Sequence, residues 1–374
     1  LIERDLNLSA SQFGLLLSVF YVTYVAGMIP AGWLAERYGA YWILSFGVLV
    51  WSLATMLTGF VASFSSLLIL RLLLGVGESV TFPCLSKIIS SVTEPRGVGH
   101  ANGVVAFGYL FGAVVGTLIG GLLMSRVGWR PTFGVFGLIS LLWLWPWART
   151  RFAEVRVRKE STAAPPFRLI LKQRGLWGAA LGHFSGNYTY YFVLGWLPDY
   201  LVKARGFSID TMSAVASSAY LVSALVALAA GWLTDRWVRV GRSPDVAYKS
   251  IMAAHHLGAI VSMIGMAFLP IGPSIACLLL YMAVMAFAAP ATFAIPQILA
   301  GPSATGRWVG VQSTCGNLAG VFASYITGVL IDATGHFETA FAAAALINVA
   351  GIIGWVIMLP PVRPIAWPEA IRTL

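Results

Sequence analysis

Gly32-Trp33-Leu34-Ala35-Glu36-Arg37 closes one long apolar stretch, and Gly231-Trp232-Leu233-Thr234-Asp235-Arg236 closes another, 199 residues downstream. Both place a glycine and an indole just before an acid and an arginine. A second correspondence runs from Gly112, Gly120 and Phe133 to Gly320, Gly328 and Phe341, at a constant offset of 208. The chain therefore reads as two related halves.

Around these markers the chain is made for lipid. Of 374 residues 58% are apolar and 10% charged, against about a quarter charged in a soluble domain. Apolar stretches of roughly 20 residues, each enough to cross a bilayer, fall at 12–34, 41–61, 65–88, 98–123, 130–148, 176–198, 210–233, 250–270, 274–299, 308–331 and 338–359. Backbone groups in hydrocarbon must be satisfied within the segment, so these eleven stretches are expected as helices. Alternate loops differ sharply in basic content. One set contains Arg37, Lys87, Arg96, the run Arg149–Arg174, Arg236, Arg239, Arg242, Lys249 and Arg307, with Arg363 and Arg372 in the tail. The other holds only Arg4, Arg126, Arg130, Lys203 and Arg205 of the 24 Lys and Arg. The positive-inside rule makes the first set and the C-terminus cytoplasmic. The net charge of +10 is thus a mark of orientation, and nucleic-acid binding is set aside. Cys84, Cys277 and Cys315 lie far apart in apolar stretches, as buried small side chains.

An acid at a helix end can pair with an arginine or with the N-terminus of a neighbouring helix. Contacts of this kind lock one conformation and must break in another. Gly32, Glu36, Arg37 and Gly39, with the copy Gly231, Asp235 and Arg236, are therefore candidate gating residues. Occurring twice, this loop resembles the signature loop of the major facilitator superfamily. The resemblance implies an all-α membrane protein of two six-helix bundles, here with eleven helices and the first absent. Its expected divisions are 1–148 for an N-terminal bundle lacking its first helix and 149–175 for a basic cytoplasmic linker. A C-terminal six-helix bundle then takes 176–360, and 361–374 is a cytoplasmic tail. Internal repeats of this type build a midplane site that opens to each side in turn.

One span carries Arg71-Leu-Leu-Leu-Gly75-Val-Gly77-Glu78, then Phe82-Pro83. Seven residues apart, Arg71 and Glu78 share a helix face at a separation of roughly 10 Å. Charges inside the membrane cost about 2.5–3.5 kcal/mol each on insertion scales and point to function. Arginine presents a planar fork that fits a carboxylate, and a buried glutamate can take up and release a proton. The segment is similar to the anion:cation symporter branch of the superfamily. So are Trp196-Leu197-Pro198-x-Tyr200, Gly128-Trp129-Arg130 and Asn317-x2-Gly320. That likeness implies proton-coupled import of small carboxylates such as sugar acids. Arg71 would hold the carboxylate, Glu78 would be a proton site, and Tyr24 and Asn317 would line the cavity. The family's first helix normally carries a further Arg, which this chain lacks.

His183, Asn187, Tyr188 and Tyr191 fall in one span and are expected to line a polar cavity, with His183 a candidate in proton coupling; Tyr109 is a further cavity candidate. His255-His256 read as interfacial, and the glycines at 108, 112, 116 and 120 as a face for close helix contact. The basic connector includes Phe167-Arg168-Leu169-Ile170-Leu171, which suits an amphipathic helix on the lipid surface as well as a solvated link. Two rivals stand beside the symporter reading. A proton-coupled drug or cation antiporter would want Pro where Thr117 stands and no buried Arg; a non-transporting receptor or scaffold is the other. No metal site, cofactor or catalytic constellation is visible. The expected partners are a small organic anion, a proton or sodium ion and the lipid bilayer, for a multi-pass, monomeric protein of the cell (inner) membrane.

Overall fold

The computed structural model describes residues 2–6, 8, 10–94, 97–150 and 164–367. Arg96, Arg151, Arg156, Arg158, Lys159 and Arg372, with most of the expected linker and the end of the tail, lie outside the described residues. Every element among those described is helical. In chain order α1 is Ala10–Leu34, α2 Ala40–Thr58, α3 Phe64–Ser79 continued by Thr81–Val92, α4 Val98–Val127 and α5 Trp129–Leu142. The second half has α6 Arg174–Asp199, α7 Ile209–Arg239, α8 Pro244–Phe268, α9 Ile271–Ala300, α10 Thr305–Thr334 and α11 Phe337–Ile352.

Nine helices among the described residues are long and apolar enough to cross a membrane. One of them, Val19–Thr58, runs for 40 residues and bends at Gly39, whose φ of 94° suits a residue without a Cβ. The expected count of eleven requires dividing that stretch and adding the more polar α6, so it is not reproduced by length and hydropathy alone. Large side chains such as Trp42, Phe46, Leu118, Phe268 and Leu346 point outward. The interior is rich in alanine, with Ala224, Ala227, Ala259, Ala286, Ala294, Ala319 and Ala323 fully buried. Small residues inside and large ones outside is how helices pack closely in lipid, where apolar burial alone gives no drive to associate.

Proline shapes α3. Pro83 has no N–H and its ring collides with the carbonyl four residues earlier, so the helix interrupts at Val80 and restarts at Thr81. The two halves meet along two seams, α1 against α10 and α4 against α7, with α9 also touching α4. Between the halves Arg307 donates from Nη1 to the Pro165 carbonyl at 2.8 Å. The helix Phe167–Leu171 buries Ile170 completely in the core of the second half, so it docks on protein rather than lying on a lipid surface.

The glycine face of α4 behaves differently from expectation. A Cβ at Gly108, Gly112 or Gly116 would meet nothing within 4 Å, and close contact occurs only at Gly120, against Phe136.

Candidate functional site

Both copies of the repeated loop reach across to the other half. Arg307, in the first turn of α10, donates its backbone N–H to Glu36 Oε1 at 2.9 Å. Its Nε lies 2.5 Å from Glu36 Oε2, an ion pair with both side chains shielded from solvent but without hydrogen-bond alignment. In the other seam Gly99 and His100, in the first turn of α4, donate their N–H groups to Asp235 Oδ1 at 3.0 Å and Oδ2 at 2.7 Å. Helix N-termini carry unpaired donors and a partial positive charge, so a carboxylate is the natural partner. The arginines of the motif do not cross. Arg37 lies over Trp33 and Tyr38, and Arg236 over Trp232, all exposed.

The glycines of the loop do cross. A Cβ on Gly32 would strike the Gly306 carbonyl, and one on Gly231 would come within 2.6 Å of the Gly99 carbonyl. Further in, Asn102 and Gln297 exchange hydrogen bonds of 2.7 and 3.2 Å between α4 and α9, both buried. Lys87 donates to the Pro302 carbonyl, and Thr314 donates to the Val25 carbonyl at 3.2 Å. One end of the interface between halves is thus closed by backbone contact, an ion pair, helix capping and an amide pair.

Above this closure sits a cavity of about 260 Å³ lined from both halves. Tyr24, Phe82 and Tyr109 come from the first half; His183, Asn187, Tyr190, Tyr191, His255, Thr292, Phe293 and Asn317 come from the second. Phe82 stacks on Phe293 with ring centres 4.9 Å apart, bridging the halves. Tyr191 donates to Asn317 Oδ1 at 2.7 Å, and Asn187 donates to the Gly316 carbonyl at 3.1 Å.

Of the cavity residues expected from sequence, Tyr24, Tyr109, His183, Asn187, Tyr191 and Asn317 are brought together here. Tyr188 is not among them. It is 1% exposed and packed in the core of the second half, because the inward face of α6 runs through 183, 187, 190 and 191. Tyr190 takes the place expected of Tyr188. His255 and His256 are not interfacial either. The helix that carries them begins at Pro244, capped by Ser243, so they lie about three turns inside it; both are buried.

Arg71 and Glu78 stand beside this cavity and do not line it. They share a stripe with Gly75, which faces α1, and with Phe82, which turns into the cavity. Gly75 admits α1 so closely that a Cβ there would stand 2.5 Å from the Phe20 carbonyl and 3.0 Å from the Tyr24 nitrogen. Glu78 lies in the electrostatic neighbourhood of Arg71, Tyr21 and Tyr24, and Tyr24 is itself a cavity residue. Both charged side chains are half-buried, and neither is ion-paired among the described residues.

The comparisons with known proteins agree with this architecture. The Major Facilitator Superfamily model matches residues 1–324. The rice protein "Probable anion transporter 4, chloroplastic" is 28% identical over 94% of this chain, which spans 63% of that protein's length. The Escherichia coli (strain K12) "Probable L-galactonate transporter" is 26% identical over 96% of this chain and 83% of its own length. In fold, the chain resembles the E. coli fucose:proton symporter FucP, with a TM-score of 0.78 at 17% identity, covering 93% of this chain and 91% of that one. These relatives are transporters and not enzymes. Two halves closed by paired acids, a cavity between them and a family match over most of its length place this chain in the Major Facilitator Superfamily, as a multi-span integral membrane transporter.

Proposed function

We propose that the protein is a proton-coupled symporter of a small organic anion, a sugar acid or similar carboxylate, working by alternating access. The observation that carries this reading is the stripe Arg71–Gly75–Glu78–Phe82 on α3. A fixed cation and a titratable acid lie two turns apart beside Tyr24, at the edge of a cavity lined from both halves. Arg71 holds the carboxylate through its planar fork. Glu78 takes a proton when the substrate is bound and gives it up on the other side. Tyr24, Asn187, Tyr191, Asn317 and Tyr109 shape the space around the anion. The names of the rice and E. coli relatives support an anionic cargo.

The Glu36 and Asp235 end is read as cytoplasmic, from the distribution of Lys and Arg. The chain then crosses the inner membrane eleven times, with its C-terminus inside and a basic linker between the bundles, and acts as a monomer.

The test is uptake of radiolabelled aldonates and uronates into proteoliposomes, with and without an imposed pH gradient. Uptake is expected to follow the gradient, Arg71→Ala to abolish it, and Glu78→Gln to keep exchange while losing gradient-driven accumulation. Saturable, gradient-driven uptake in both variants would remove the assignment.

A further inference from the structure

On its second-half side the cavity carries two imidazoles: His183, expected from the sequence as a candidate in proton coupling, and His255, which the symport reading leaves without a task. His183, on α6, lines it directly. His255 reaches it from α8, a helix packed on α9 and α11, through a gap that the sequence has left open. Gly182 and Gly186 lie one turn apart on α6. A Cβ on Gly186 would stand 3.1 Å from His255 Nε2, and one on Gly182 would run into the Trp355 indole. Two missing side chains on one face of α6 thus let a second row of helices touch the cavity.

Neither imidazole has both of its ring nitrogens hydrogen-bonded by the protein. Nδ1 of His183 and Nδ1 of His255 are buried without a hydrogen-bond partner. The polar groups acting on the His255 ring are His256 and the Val284 backbone. His183 meets Phe293 edge-on, at 5.7 Å between ring centres. His256 is held at one nitrogen, its Nε2 being buried without a partner. Its Nδ1 lies 2.7 Å from Asn348 Oδ1, Asn348 donates to Thr189 at 2.6 Å, and its ring sits 4.6 Å from that of His255. His256 therefore acts as a buttress that fixes His255. Among the described residues no Asp, Glu, Lys or Arg lines the cavity, so the two rings have no ionic partner among them in its wall.

The unpartnered Nδ1 atoms are themselves closed off, His183 Nδ1 against Gly316, so each ring meets the cavity through its other edge. A neutral imidazole offers one donor and one acceptor, the same pair a hydroxyl needs. We propose that His183 and His255 form a second recognition subsite, which hydrogen-bonds hydroxyl oxygens of the transported anion at the end remote from its carboxylate. The inference rests on the symport reading for the position of the carboxylate. It adds a requirement of its own: the anion is hydroxylated at that end, and an anion of equal length without hydroxyls is carried with a higher KM because the imidazole edges facing the cavity would stay unpaired on binding it.

The experiment compares a six-carbon aldonate with hexanoate in proteoliposomes holding the full chain, with KM and maximal rate measured for each. His183→Ala and His255→Ala are each expected to raise KM for the aldonate by about tenfold, with less than about a twofold change for hexanoate. His255→Asn, which keeps a donor and an acceptor, should recover part of the loss. Gly186→Ala should reproduce the His255→Ala phenotype while leaving the histidine in place. Arg71→Ala is the control, since it should abolish uptake of both anions alike. If the histidine variants weaken both anions equally, or neither, the subsite is overturned while the Arg71 reading stands. If the wild-type protein carries neither anion, the symport reading fails and takes this inference with it.

Discussion

The two copies of the repeated loop solve the same problem with different chemistry. Glu36 and Asp235 each cross to the first turn of a helix in the opposite half and accept its backbone N–H groups. Among the described residues only Glu36 also forms an ion pair across the seam, with Arg307. The Asp235 seam compensates further in, where Asn102 and Gln297 exchange two buried amide hydrogen bonds; at comparable depth the Glu36 seam has single contacts such as Thr314 to the Val25 carbonyl. A duplicated motif thus preserved geometry, acid to helix N-terminus over a glycine crossing, while the supporting interactions diverged. Beyond the shared capping carboxylate, one seam adds an ion pair and the other a neutral amide pair.

The largest effect belongs to what the seams share. Gly32 and Gly231 each cross a backbone in the other half so closely that a Cβ would meet a carbonyl, of Gly306 and of Gly99. Backbone cannot rotate away as a side chain can, so even alanine must push the halves apart. Gly32→Ala and Gly231→Ala are each expected to hold this end open and to cut transport by more than about 100-fold, since a packed seam tolerates little added volume. Pulsed EPR distances between spin labels on the two halves at this end would report the opening. Wild-type distances in either variant would mean that the crossing yields more readily than its geometry implies.

What the sequence disclosed here, and what it withheld, follows from the range of each signal. The glycine, indole, acid and arginine of each loop are contiguous, so both loops were visible at once, together with the two forms of partner an acid can find. Arg307 was not visible, because it sits 271 residues from Glu36 and nothing local marks it. The inward face of α6 was misjudged by a fraction of a turn. Its aromatic residues 184, 188, 190 and 191 lie on several faces, and only the packing against α10 selects 183, 187, 190 and 191. His255 was placed too near the membrane surface because hydropathy rises only around residue 250, whereas the helix begins at Ser243-Pro244, two residues that start a helix but add no hydrophobicity. The access of His255 to the cavity through Gly186 is a property of two helices together, which no single stretch of sequence contains.

The next effect separates the seams. Glu36→Gln leaves the Arg307 guanidinium shielded from solvent without its counter-charge. Breaking a buried pair in this way costs about 3–5 kcal/mol, and the lower end applies because Arg307 keeps some exposure. Asp235→Asn retains one acceptor oxygen but turns an amide N–H toward the second backbone donor, a loss of about 1–2 kcal/mol. Alkylation rates of a single cysteine placed at this end should therefore rise more for Glu36→Gln than for Asp235→Asn. Equal rates would show that the arginine adds nothing to the seam and that capping alone holds both.

The smallest effect tests whether the amide pair is the counterpart of that ion pair. Asn102→Ala removes one side of a reciprocal exchange and strands the Gln297 amide in a buried site, worth about 1 kcal/mol net and so roughly a fivefold rise in cysteine accessibility at this end. Alone that is less than the Glu36→Gln effect. Combined with Asp235→Asn, which acts on the same seam one turn away, it should bring the α4–α7 side close to the opening produced by Glu36→Gln on the α1–α10 side. If the double variant opens no further than Asp235→Asn, the amide pair is a packing detail and the two seams are unequal. A more-than-additive rise would instead mark Asp235 and Asn102 as one coupled unit, the counterpart of Glu36 with Arg307.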